Sequence, residues 1–398
     1  MNIHYITRIN FLSNKAHVYN VSKTCEALNQ IDGVNVFLVS TDNSLVKEEL
    51  VKYFFSNNNI EKPFPIISIN SLSNYFKKNN LRFINWLETV FVNFSLSLYV
   101  ISNHKSIDVL YYRDGSTFLP VLIAKFLFRK PVFFESHAVL VKNYRRLMDD
   151  LLGGVINGVV VISNGLRDYY KNINNNIVVS FCAASEPERF KMITESREEL
   201  RKMLNLPTNK VILGYTGNMY KTGNSDPYGV DDILRALPIL PDNVIFVGVG
   251  KKGSETKDLE KLAIDLGISE RVHLLPWVSR GEVVKYILAF DILLIPSAGA
   301  RIGNSPTKMF EYLSSGRTII AANTKAISEV LHDGKNALLV DYNDPASWAR
   351  AVSMVVENPG LSASLIEQAS KDAELYSWVK RGNDIFGFLK KTIDENNA

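Results

Sequence analysis

Short apolar runs alternate with helical patterns along this chain, and the alternation restricts the fold more than any other feature of the sequence. Residues 36–39 and 159–162 are continuous runs rich in β-branched side chains. Such runs are typical of parallel strands that are buried on both faces of a sheet. Helical segments of the length that a β–α–β crossover needs fall between the runs. The sequence therefore predicts an α/β protein with parallel sheets.

The alternation occurs in two series, and a chain of 398 residues is long enough for two domains. Strands of the first series are predicted near residues 2–7, 34–40, 64–69, 107–112, 131–135, 158–162 and 177–181, with helices near 16–30, 116–129 and 163–171. Strands of the second series are predicted near residues 211–216, 243–248, 271–275, 291–295, 317–321 and 337–340. A charged helical connection is predicted over residues 186–204, and a final amphipathic helix over residues 376–391.

Composition indicates a globular protein of a reducing compartment. Hydrophobic residues make up 46% of the chain and charged residues 22%, which is ordinary for a soluble protein. Cys25 and Cys182 lie far apart and support neither a disulfide framework nor a cysteine metal site. No signal peptide is predicted at the start, and no uncharged run is long enough to span a bilayer. We therefore expect a cytoplasmic protein.

Charge is unevenly placed, and one helix is unusually aromatic. Residues 1–185 carry 19 Lys and Arg against 13 Asp and Glu, a net charge of +6, whereas residues 186–398 carry −2. The basic part suits an anionic partner, which charge alone leaves open between nucleic acid, a membrane surface and a phosphate-bearing acceptor. The aromatic helix, residues 81–103, is interpreted either as a cover on the sheet or as an interfacial helix whose basic lead contacts lipid headgroups. That lead consists of Lys77, Lys78 and Arg82.

The second series contains a strand, a loop of small residues and a helix in direct succession, over residues 291–316. Ser305 is a good N-cap, Pro306 suits the first helical position, and Gly316 suits the end of the helix. Backbone N–H groups and the positive end of the helix dipole then face an anion. Lys308 in the first turn is suited to phosphate, and Glu311 can accept hydrogen bonds from two neighbouring hydroxyls. Phosphate and a diol together describe a nucleotide, although an ordinary αβ unit is the plain alternative.

The run SPTKMFEYLSSG, residues 305–316, resembles the donor-site helix of the retaining GT-B glycosyltransferases of family 4. The resemblance is closest to the bacterial polysaccharide and lipopolysaccharide branch, and it extends over nearly the whole chain. It implies a GT-B fold, with two Rossmann-like doubly wound parallel-sheet domains and an active site in the cleft between them. The implied parts are an acceptor-side domain at 1–187, a donor domain at 188–374, and a helix at 375–398 that crosses back to the first domain.

The resemblance also implies an activity. A sugar would move from a nucleoside diphosphate sugar to a hydroxyl of a polysaccharide, as in capsule or lipopolysaccharide, or of a lipid-linked acceptor. The reaction would retain anomeric configuration and need no metal or other cofactor. The expected partners are the nucleotide sugar, a glycan or lipid-linked acceptor and the membrane surface, with no nucleic acid. Two alternatives are a non-catalytic GT-B-like protein that binds a nucleotide sugar or a partner transferase, and a GT-B epimerase.

Site residues follow from matching this chain to the motifs of the family. His137 ends the strand Phe133–Ser136, beside the strand end at Tyr111–Asp114, and the resemblance places it next to the donor sugar. His137 and Glu311 are therefore the predicted catalytic residues. The predicted diphosphate site is Asn14, Asn218, Lys221, Arg301, Ser305, Pro306, Thr307 and Lys308. The predicted nucleoside site is Gly248, Gly250, Trp277, Val278 and Glu311.

The chain departs from the family pattern at charged positions. Asn218 stands where the family has an Arg, Tyr228 where it has a Lys, and Gly303 where it has the first Glu of a Glu-x7-Glu pair. The loop before His17 also lacks the two usual glycines. Arg301, Lys308 and Lys221 are candidates to supply the missing positive charge.

One motif points to a different cofactor. Residues 248–253 match GxGxxG after a strand, as a dinucleotide-binding fingerprint does. The fingerprint also requires an acidic residue at the end of the next strand, and residues 272–276 contain none. We therefore interpret these glycines as a tight turn at the ligand-binding edge of the sheet, and not as an NAD site.

Overall fold

The computed structural model describes the protein from Met1 to Asn397. Residues 14–15, 43, 46, 71–84, 139–142, 182–185, 220–227, 252–255 and 297–306 within that range lie outside the description, as do the side chains of residues 85–86, 143–146, 148–149 and 397. The chain divides into two compact units. Unit 1 comprises Met1–Cys182 with Trp378–Ala398, and unit 2 comprises Ala183–Ser377.

Unit 1 is built on a seven-stranded sheet. Its strand order is β3-β2-β1-β4-β5-β6-β7, and every pair is parallel. The strands are β1 (Asn2–Ile6), β2 (Asn35–Ser40), β3 (Ile66–Ser68), β4 (Val109–Tyr112), β5 (Val132–Ser136), β6 (Gly158–Val161) and β7 (Ile177–Val179). The helices between them are α1 (Ala16–Asn29), α2 (Glu48–Asn57), α3 (Asn85–Asn103), α4 (Phe118–Leu122, continued by a π-helical turn over Ile123–Leu127), α5 (Asn143–Val155) and α6 (Asn164–Tyr170).

Unit 2 is built on a six-stranded parallel sheet of order β10-β9-β8-β11-β12-β13. Its strands are β8 (Val211–Thr216), β9 (Val244–Lys251), β10 (Val272–Pro276), β11 (Ile292–Ile295), β12 (Thr318–Ala322) and β13 (Leu338–Val340). Its helices are α7 (Pro187–Lys191), α8 (Arg197–Met203), α9 (Val230–Ala236, continued by a 3-10 turn over Leu237–Ile239), α10 (Lys257–Asp265), α11 (Arg280–Ala289), α12 (Thr307–Leu313), α13 (Pro345–Glu357) and α14 (Pro359–Ala373). Short 3-10 turns lie at Ser269–Arg271 and Glu374–Tyr376.

The last helix, α15 (Trp378–Asn397), completes unit 1. Ile385 and Leu389 are fully buried in the same core cluster as residues of β1, β4 and α1. Gly382 allows close contact, because a Cβ atom there would lie 2.9 Å from the backbone of Ala27. Trp378 meets the ring of Tyr19 edge to face, with 6.0 Å between ring centroids. The helix therefore supplies one of the layers that cover the sheet.

The other face of the sheet is covered partly by α3, which is apolar on two sides. Val92, Leu96 and Val100 are buried in the core cluster that includes Ile6 and Val39. The opposite side exposes Val90, Phe94, Leu98 and Ile101. The helix is thus a cover on the sheet, as one interpretation predicted, and it also presents an exposed apolar stripe. Among the described residues, no helix combines the length and the apolar character that crossing a membrane requires.

The fold class, the predicted strands and the helical connection are confirmed. All thirteen predicted strands are present, within a few residues of the predicted bounds. The connection at 186–204 consists of two helices, α7 and α8. Ser196 starts the second, because its hydroxyl accepts from the N–H of Glu199 while the Glu199 carboxylate accepts from the N–H of Ser196. Such a capping box specifies a helix start, and it therefore interrupts the helical pattern.

Candidate functional site

The order of the strands in unit 2 determines where a ligand can bind. β8 lies between β9 and β11, because the chain runs from β8 to β9 and β10 on one side and then crosses to β11 on the other. In open α/β sheets the carboxyl ends of strands at such a switch point form the ligand crevice. Gly217 follows β8, and α12 is the first described helix after β11. The strand order therefore brings the predicted phosphate residues of both segments to one edge.

Glycines let the strand ends of this edge approach closely. Gly250, at the end of β9, has φ +136°, and a Cβ atom there would lie 2.2 Å from the carbonyl oxygen of Gly217. Gly229 has φ +66° and packs in the same way against the carbonyl of Pro296, with 2.1 Å to a Cβ atom. Side chains are excluded at both positions by space as well as by backbone conformation. The ends of β8 and β9 are thus in backbone contact, and the start of α9 is in backbone contact with the end of β11.

Gly217, Gly229 and Gly250 form a glycine floor at this edge, and Lys308 lies over Gly217. Its Nζ is 3.5 Å from the centroid of the Tyr215 ring, which is a cation–π contact. A Cβ atom on Gly217 would lie 3.1 Å from the same Nζ, so Gly217 leaves room for the ammonium group. The Tyr215 hydroxyl donates to the carbonyl of Asn218 at 2.7 Å and thereby fixes the ring. The sequence predicted Lys308 in the site, and the structure adds its aromatic partner.

The protonation of Lys308 is sensitive to its surroundings. Burial lowers the pKa of Lys308 to about 7, although the nearby Glu311 carboxylate acts in the opposite direction. A nearby negative charge favours the protonated form of a lysine, so an added anion raises the pKa of Lys308. An anionic ligand here would therefore be bound together with a proton.

Glu311 lies one turn further along α12 and is partly buried. Burial raises the pKa of the Glu311 carboxyl, and the positive charges of Arg280 and Arg189 act against that shift. Arg189 is itself held by Glu186 at 2.7 Å and by the carbonyl of Arg280 at 2.6 Å. The carboxylate therefore lies in a basic setting made by α7, α11 and α12. It can accept hydrogen bonds from ligand hydroxyls there.

Tyr312 ties α12 to the end of β8. Its hydroxyl accepts a hydrogen bond from the Thr216 N–H at 3.0 Å and lies 3.1 Å from the Thr216 hydroxyl. Tyr312 is fully buried, and these contacts satisfy its polar atom. These bonds hold α12, which carries Lys308 and Glu311, against the end of β8.

Two positions that depart from the family pattern contact each other. The side-chain amide of Asn218 donates to the hydroxyl of Tyr228 at 3.3 Å. Neither Asn nor Tyr is a cationic side chain. The pair therefore puts a neutral hydrogen-bonded contact where the family pattern has two cations.

The predicted nucleoside residues lie along the same edge of unit 2. Trp277, directly after β10, is exposed, and its backbone N–H donates to the carbonyl of Lys251 at 3.1 Å. This bond sets Trp277 beside Lys251, the residue after Gly250. Val278 follows and is partly buried. Gly248 faces the interior, where a Cβ atom would lie 2.4 Å from the sulfur of Met219. The close packing of Gly248 and Gly250 is therefore a structural requirement, independent of any ligand.

Unit 1 holds the other predicted catalytic residue in a buried polar cluster, the Glu135 cluster, formed by Tyr5, Tyr111, Glu135, His137 and Arg381. The Glu135 carboxylate accepts from Tyr111 at 2.6 Å, Tyr5 at 3.2 Å and Arg381 at 2.9 Å, and it lies 2.5 Å from Nε2 of His137. The side chains of Glu135 and Arg381 are only 2% and 3% exposed. The carboxyl ends of β1, β4 and β5 bring these residues together.

Burial, more than charge, keeps His137 neutral. Burial alone would raise the pKa of Glu135, but Arg381, the hydrogen bond from His137 and Arg113 together hold it well below its usual range. Burial and then the positive charge of Arg113 lower the pKa of His137 to about 4, against the opposing effect of Glu135. At neutral pH the cluster is therefore an ionised carboxylate beside a neutral imidazole.

Several predicted site residues lie outside the described part of the chain. They are Asn14, Lys221, Arg301, Ser305 and Pro306, together with Gly303. Asn218, Thr307, Lys308, Glu311, Gly248, Gly250, Trp277 and Val278 belong to unit 2, and His137 to unit 1. Among the residues that the structure does describe, no group of three or more His, Cys, Asp or Glu side chains could hold a metal ion.

The partners that give these residues their properties were not predicted from the sequence. Tyr215 contacts Lys308, Arg189 and Arg280 act on the charge of Glu311, and Arg381 neutralises Glu135. Each is distant in sequence from the residue on which it acts. Only Glu135 had a usable signal, since a carboxylate in a buried strand requires a buried cation or donors.

Most of unit 2 matches the sequence model of a known protein family. Residues 196–372 match the family model described as glycosyl transferases group 1. The match covers nearly all of unit 2, including β8, the glycine floor and α12. This part of the chain therefore has the sequence pattern of that group.

Individual relatives are similar over the same region. A D-inositol 3-phosphate glycosyltransferase of Mycolicibacterium smegmatis is 30% identical over 207 residues, which is 51% of this chain and 45% of the relative. Its counterpart in Corynebacterium urealyticum is 28% identical over 197 residues, 48% of this chain and 46% of the relative. The chain thus matches slightly less than half the length of these curated relatives.

Solved structures resemble the whole chain. Anabaena Alr3699/HepE in complex with UDP superposes with a TM-score of 0.76 at 17% identity, covering 98% of this chain and 100% of that one. The lipopolysaccharide outer core galactosyltransferase WaaB superposes with a TM-score of 0.68 at 16% identity, covering 98% and 99%. These similarities are in fold, and with the two parallel sheets they confirm the predicted GT-B class.

Proposed function

We propose that the chain is a glycosyltransferase that moves a sugar from a nucleoside diphosphate sugar, with UDP as the nucleotide, to an acceptor hydroxyl. The observation that carries the proposal is the cluster of Lys308, Tyr215 and Gly217 at the switch point of unit 2, within the segment that matches the group 1 family. UDP is chosen because the similar structure of Alr3699/HepE is a UDP complex. A polysaccharide or lipid-linked acceptor, retention of configuration and independence of metal are further parts of the proposal.

The proposed reaction gives a role to each of four described residues, Thr307, Lys308, Glu311 and His137. Lys308, with Thr307 and the residues before α12, would bind the diphosphate and stabilise the charge that develops when the bond from the anomeric carbon to the phosphate oxygen breaks. Glu311 would accept from the two ribose hydroxyls. The acceptor oxygen forms the new glycosidic bond, and its proton passes to the leaving diphosphate. His137 would lie beside the sugar, where its neutral imidazole adds no positive charge.

Binding of UDP tests the donor site. Glu311→Ala should weaken UDP binding by about 1.5–3 kcal/mol, which is typical of hydrogen bonding to a charged group. Titration calorimetry measures this directly. Glu367→Ala is the control, since Glu367 is exposed on α14 and pairs only with Lys371 in the described structure. Equal UDP affinities for Glu311→Ala and the unchanged protein would exclude Glu311 from the site.

A second candidate is a non-catalytic protein that binds a nucleotide sugar or a partner transferase. The neutral pair of Asn218 and Tyr228 favours it, because diphosphate charge would be balanced less completely. Incubating the protein with UDP-sugars and measuring released UDP separates the two, since many transferases also transfer sugar to water. Tight binding without release of UDP or transfer to any acceptor would support the non-catalytic function. Conversion of the sugar without an acceptor would indicate an epimerase.

We also propose peripheral contact of unit 1 with an anionic membrane. The exposed stripe of α3, Val90, Phe94, Leu98 and Ile101, supports this, as does the excess of basic residues in the first half of the chain. Apolar insertion and attraction to anionic lipid act together at such a surface, and the attraction weakens with salt. A lipid-linked acceptor would be reached from there.

Vesicle sedimentation tests the membrane contact. The protein should pellet with vesicles that contain anionic lipid at low salt, and less at high salt or with neutral vesicles. The double variant Phe94→Ser with Leu98→Ser should reduce pelleting without loss of UDP binding, because both side chains are exposed. Replacing Lys77, Lys78 and Arg82 together should also reduce it. No pelleting with anionic vesicles at low salt would leave the stripe without this function.

A further inference from the structure

The two oxygens of the Glu135 carboxylate are used for different partners. Oε2 accepts from the two tyrosine hydroxyls, Tyr111 at 2.6 Å and Tyr5 at 3.2 Å. Oε1 accepts from Arg381 at 2.9 Å and lies 2.5 Å from Nε2 of His137. The tyrosines therefore hold the carboxylate in place, while the other oxygen connects the last helix to the histidine.

We propose that Glu135 and Arg381 are positioning residues, which hold His137 as the Nε2–H tautomer and so present Nδ1 as a hydrogen-bond acceptor. The proposal rests on the proposed function, in which His137 lies beside the donor sugar. It assigns roles to two residues that the sequence did not select for the site. It also makes the orientation of His137 depend on a helix that is 240 residues further along the chain.

The tautomer follows from the chemistry of the partners. An ionised carboxylate only accepts hydrogen bonds, so the nitrogen that faces Glu135 must carry the proton. A neutral imidazole has one donor nitrogen and one acceptor nitrogen, which leaves Nδ1 as the acceptor. Arg381 keeps Glu135 ionised in the buried cluster. A hydroxyl of a bound sugar could then donate to Nδ1.

Arg381 connects the cluster to three separate segments. It donates to the Glu135 carboxylate on β5, to the Thr24 hydroxyl on α1 at 3.1 Å, and to the carbonyl of Phe181 after β7 at 2.9 Å. It also donates to the carbonyl and hydroxyl of Ser180. An arginine with this many fixed partners has one orientation, so its contact with Glu135 is fixed as well. Packing of α15 on unit 1 thereby orients His137.

The tautomer can be measured on the unchanged protein. Nitrogen-15 spectra distinguish the two neutral tautomers and the protonated form, and a His137→Gln spectrum identifies the signal among the six histidines. We expect Nε2–H at pH 7 and no protonation down to pH 5. Glu135, Arg381, Arg113, Tyr5, Tyr111 and Cys25 are the charged and titratable groups that act on the cluster. An Nδ1–H or protonated His137 at pH 7 would overturn the proposal.

Variants then connect the tautomer to turnover. Glu135→Gln and Arg381→Met should each give a mixture of tautomers. They should lower kcat for release of UDP from a UDP-sugar by about 10- to 100-fold, since a misplaced group costs that much. The affinity for UDP should not change, because Thr307, Lys308 and Glu311, which are proposed to bind it, are in unit 2. Lys380→Ala removes only an exposed ion pair with Asp384 on the same helix, α15, and is the matched control.

The outcomes separate this proposal from the proposed function. If the tautomer is Nε2–H in the unchanged protein and mixed in the folded variants, the positioning role stands even when no UDP-sugar is turned over. If UDP is released but the folded variants keep both the tautomer and kcat, Glu135 and Arg381 are merely structural. If the variants do not fold, the tautomer of the unchanged protein decides.

Discussion

Lys308 carries the clearest consequence of burial among the single side chains. Its pKa in the unliganded fold is lowered to about 7, from 10.5 in an exposed lysine. The folded protein therefore loses this proton near neutral pH, whereas the unfolded chain keeps it up to about pH 10.5. Between these values the contribution of Lys308 to the free energy of unfolding rises with pH, because the unfolded state binds more protons.

Binding of UDP should show the opposite dependence on pH. The diphosphate favours protonated Lys308, so UDP affinity should fall as the pH rises above about 7, and the affinity of uridine should not. Lys308→Met should weaken UDP at pH 6.5 and remove most of this fall. Calorimetric titrations from pH 6 to pH 9 measure both. The same slope in Lys308→Met as in the unchanged protein would show that another group binds the diphosphate.

Sequence could select Lys308 and Glu311 but not their environment. A cation in the first helical turn and an acid one turn later can be recognised from residues 305–316 alone. The contact of Lys308 with Tyr215 depends on β8 lying beside β11, which pairs Leu213 with Ile292 across 79 positions. Long-range pairings of this kind are set by the packing of the whole sheet.

At the scale of elements, the glycine floor should be intolerant of any side chain. Gly250→Ala combines a left-handed φ with a Cβ atom 2.2 Å from a backbone oxygen. Gly267→Ala is the matched control, since Gly267 has φ +68° with open space around it. We expect the control to cost about 1–2 kcal/mol for conformation alone. Gly250→Ala should cost about 1–3 kcal/mol more, because the strand ends must also move apart.

Urea unfolding of both variants measures these costs. The Gly250→Ala variant should also lose UDP affinity, since the floor below Lys308 is displaced. Equal destabilisation by the two substitutions would mean that the strand ends can separate at little cost. The backbone contact would then not be what shapes the edge.

Elements were predictable where the pattern was local. The strands were, because apolar runs bounded by turns identify buried parallel strands without further information. The division of the helical connection at 186–204 into two helices was not predicted, because a helical composition does not show where one helix stops. The start of α8 was nevertheless visible as Ser196 with Glu199 three positions later. The capping box was a sequence signal that the prediction did not use.

For the whole molecule, the largest effect on stability is expected from the fact that unit 1 is built from two separate segments of the chain. A chain that ends at Ser377 lacks α15, and with it Arg381, Ile385 and Leu389. Glu135 would then be a buried carboxylate without its cation, which alone costs about 3–5 kcal/mol. We expect unit 1 of that chain to unfold at a much lower temperature, or not to fold, while unit 2 keeps its transition.

Calorimetry of the shortened chain tests this expectation. Adding a peptide of residues 378–397 should restore part of the lost transition, because the peptide supplies the missing layer. An unchanged first transition without the peptide would show that α15 contributes little to unit 1. The assignment of unit 1 to the acceptor and unit 2 to the donor stays a prediction, which the UDP and vesicle experiments address.

The return of the chain to unit 1 also determines the order in which a nascent chain can fold. Domains generally fold as they leave the ribosome, and the N-terminal one is usually first. Here residues 1–182 are made first but lack their last layer until residues 183–377 have been translated. At about 5–20 residues per second that interval lasts about 10–40 s. Unit 2 is continuous in sequence and can finish folding within it. During that time the surface of α1 that receives α15 is open, and chaperones have their longest access to the half of the protein that was synthesised first.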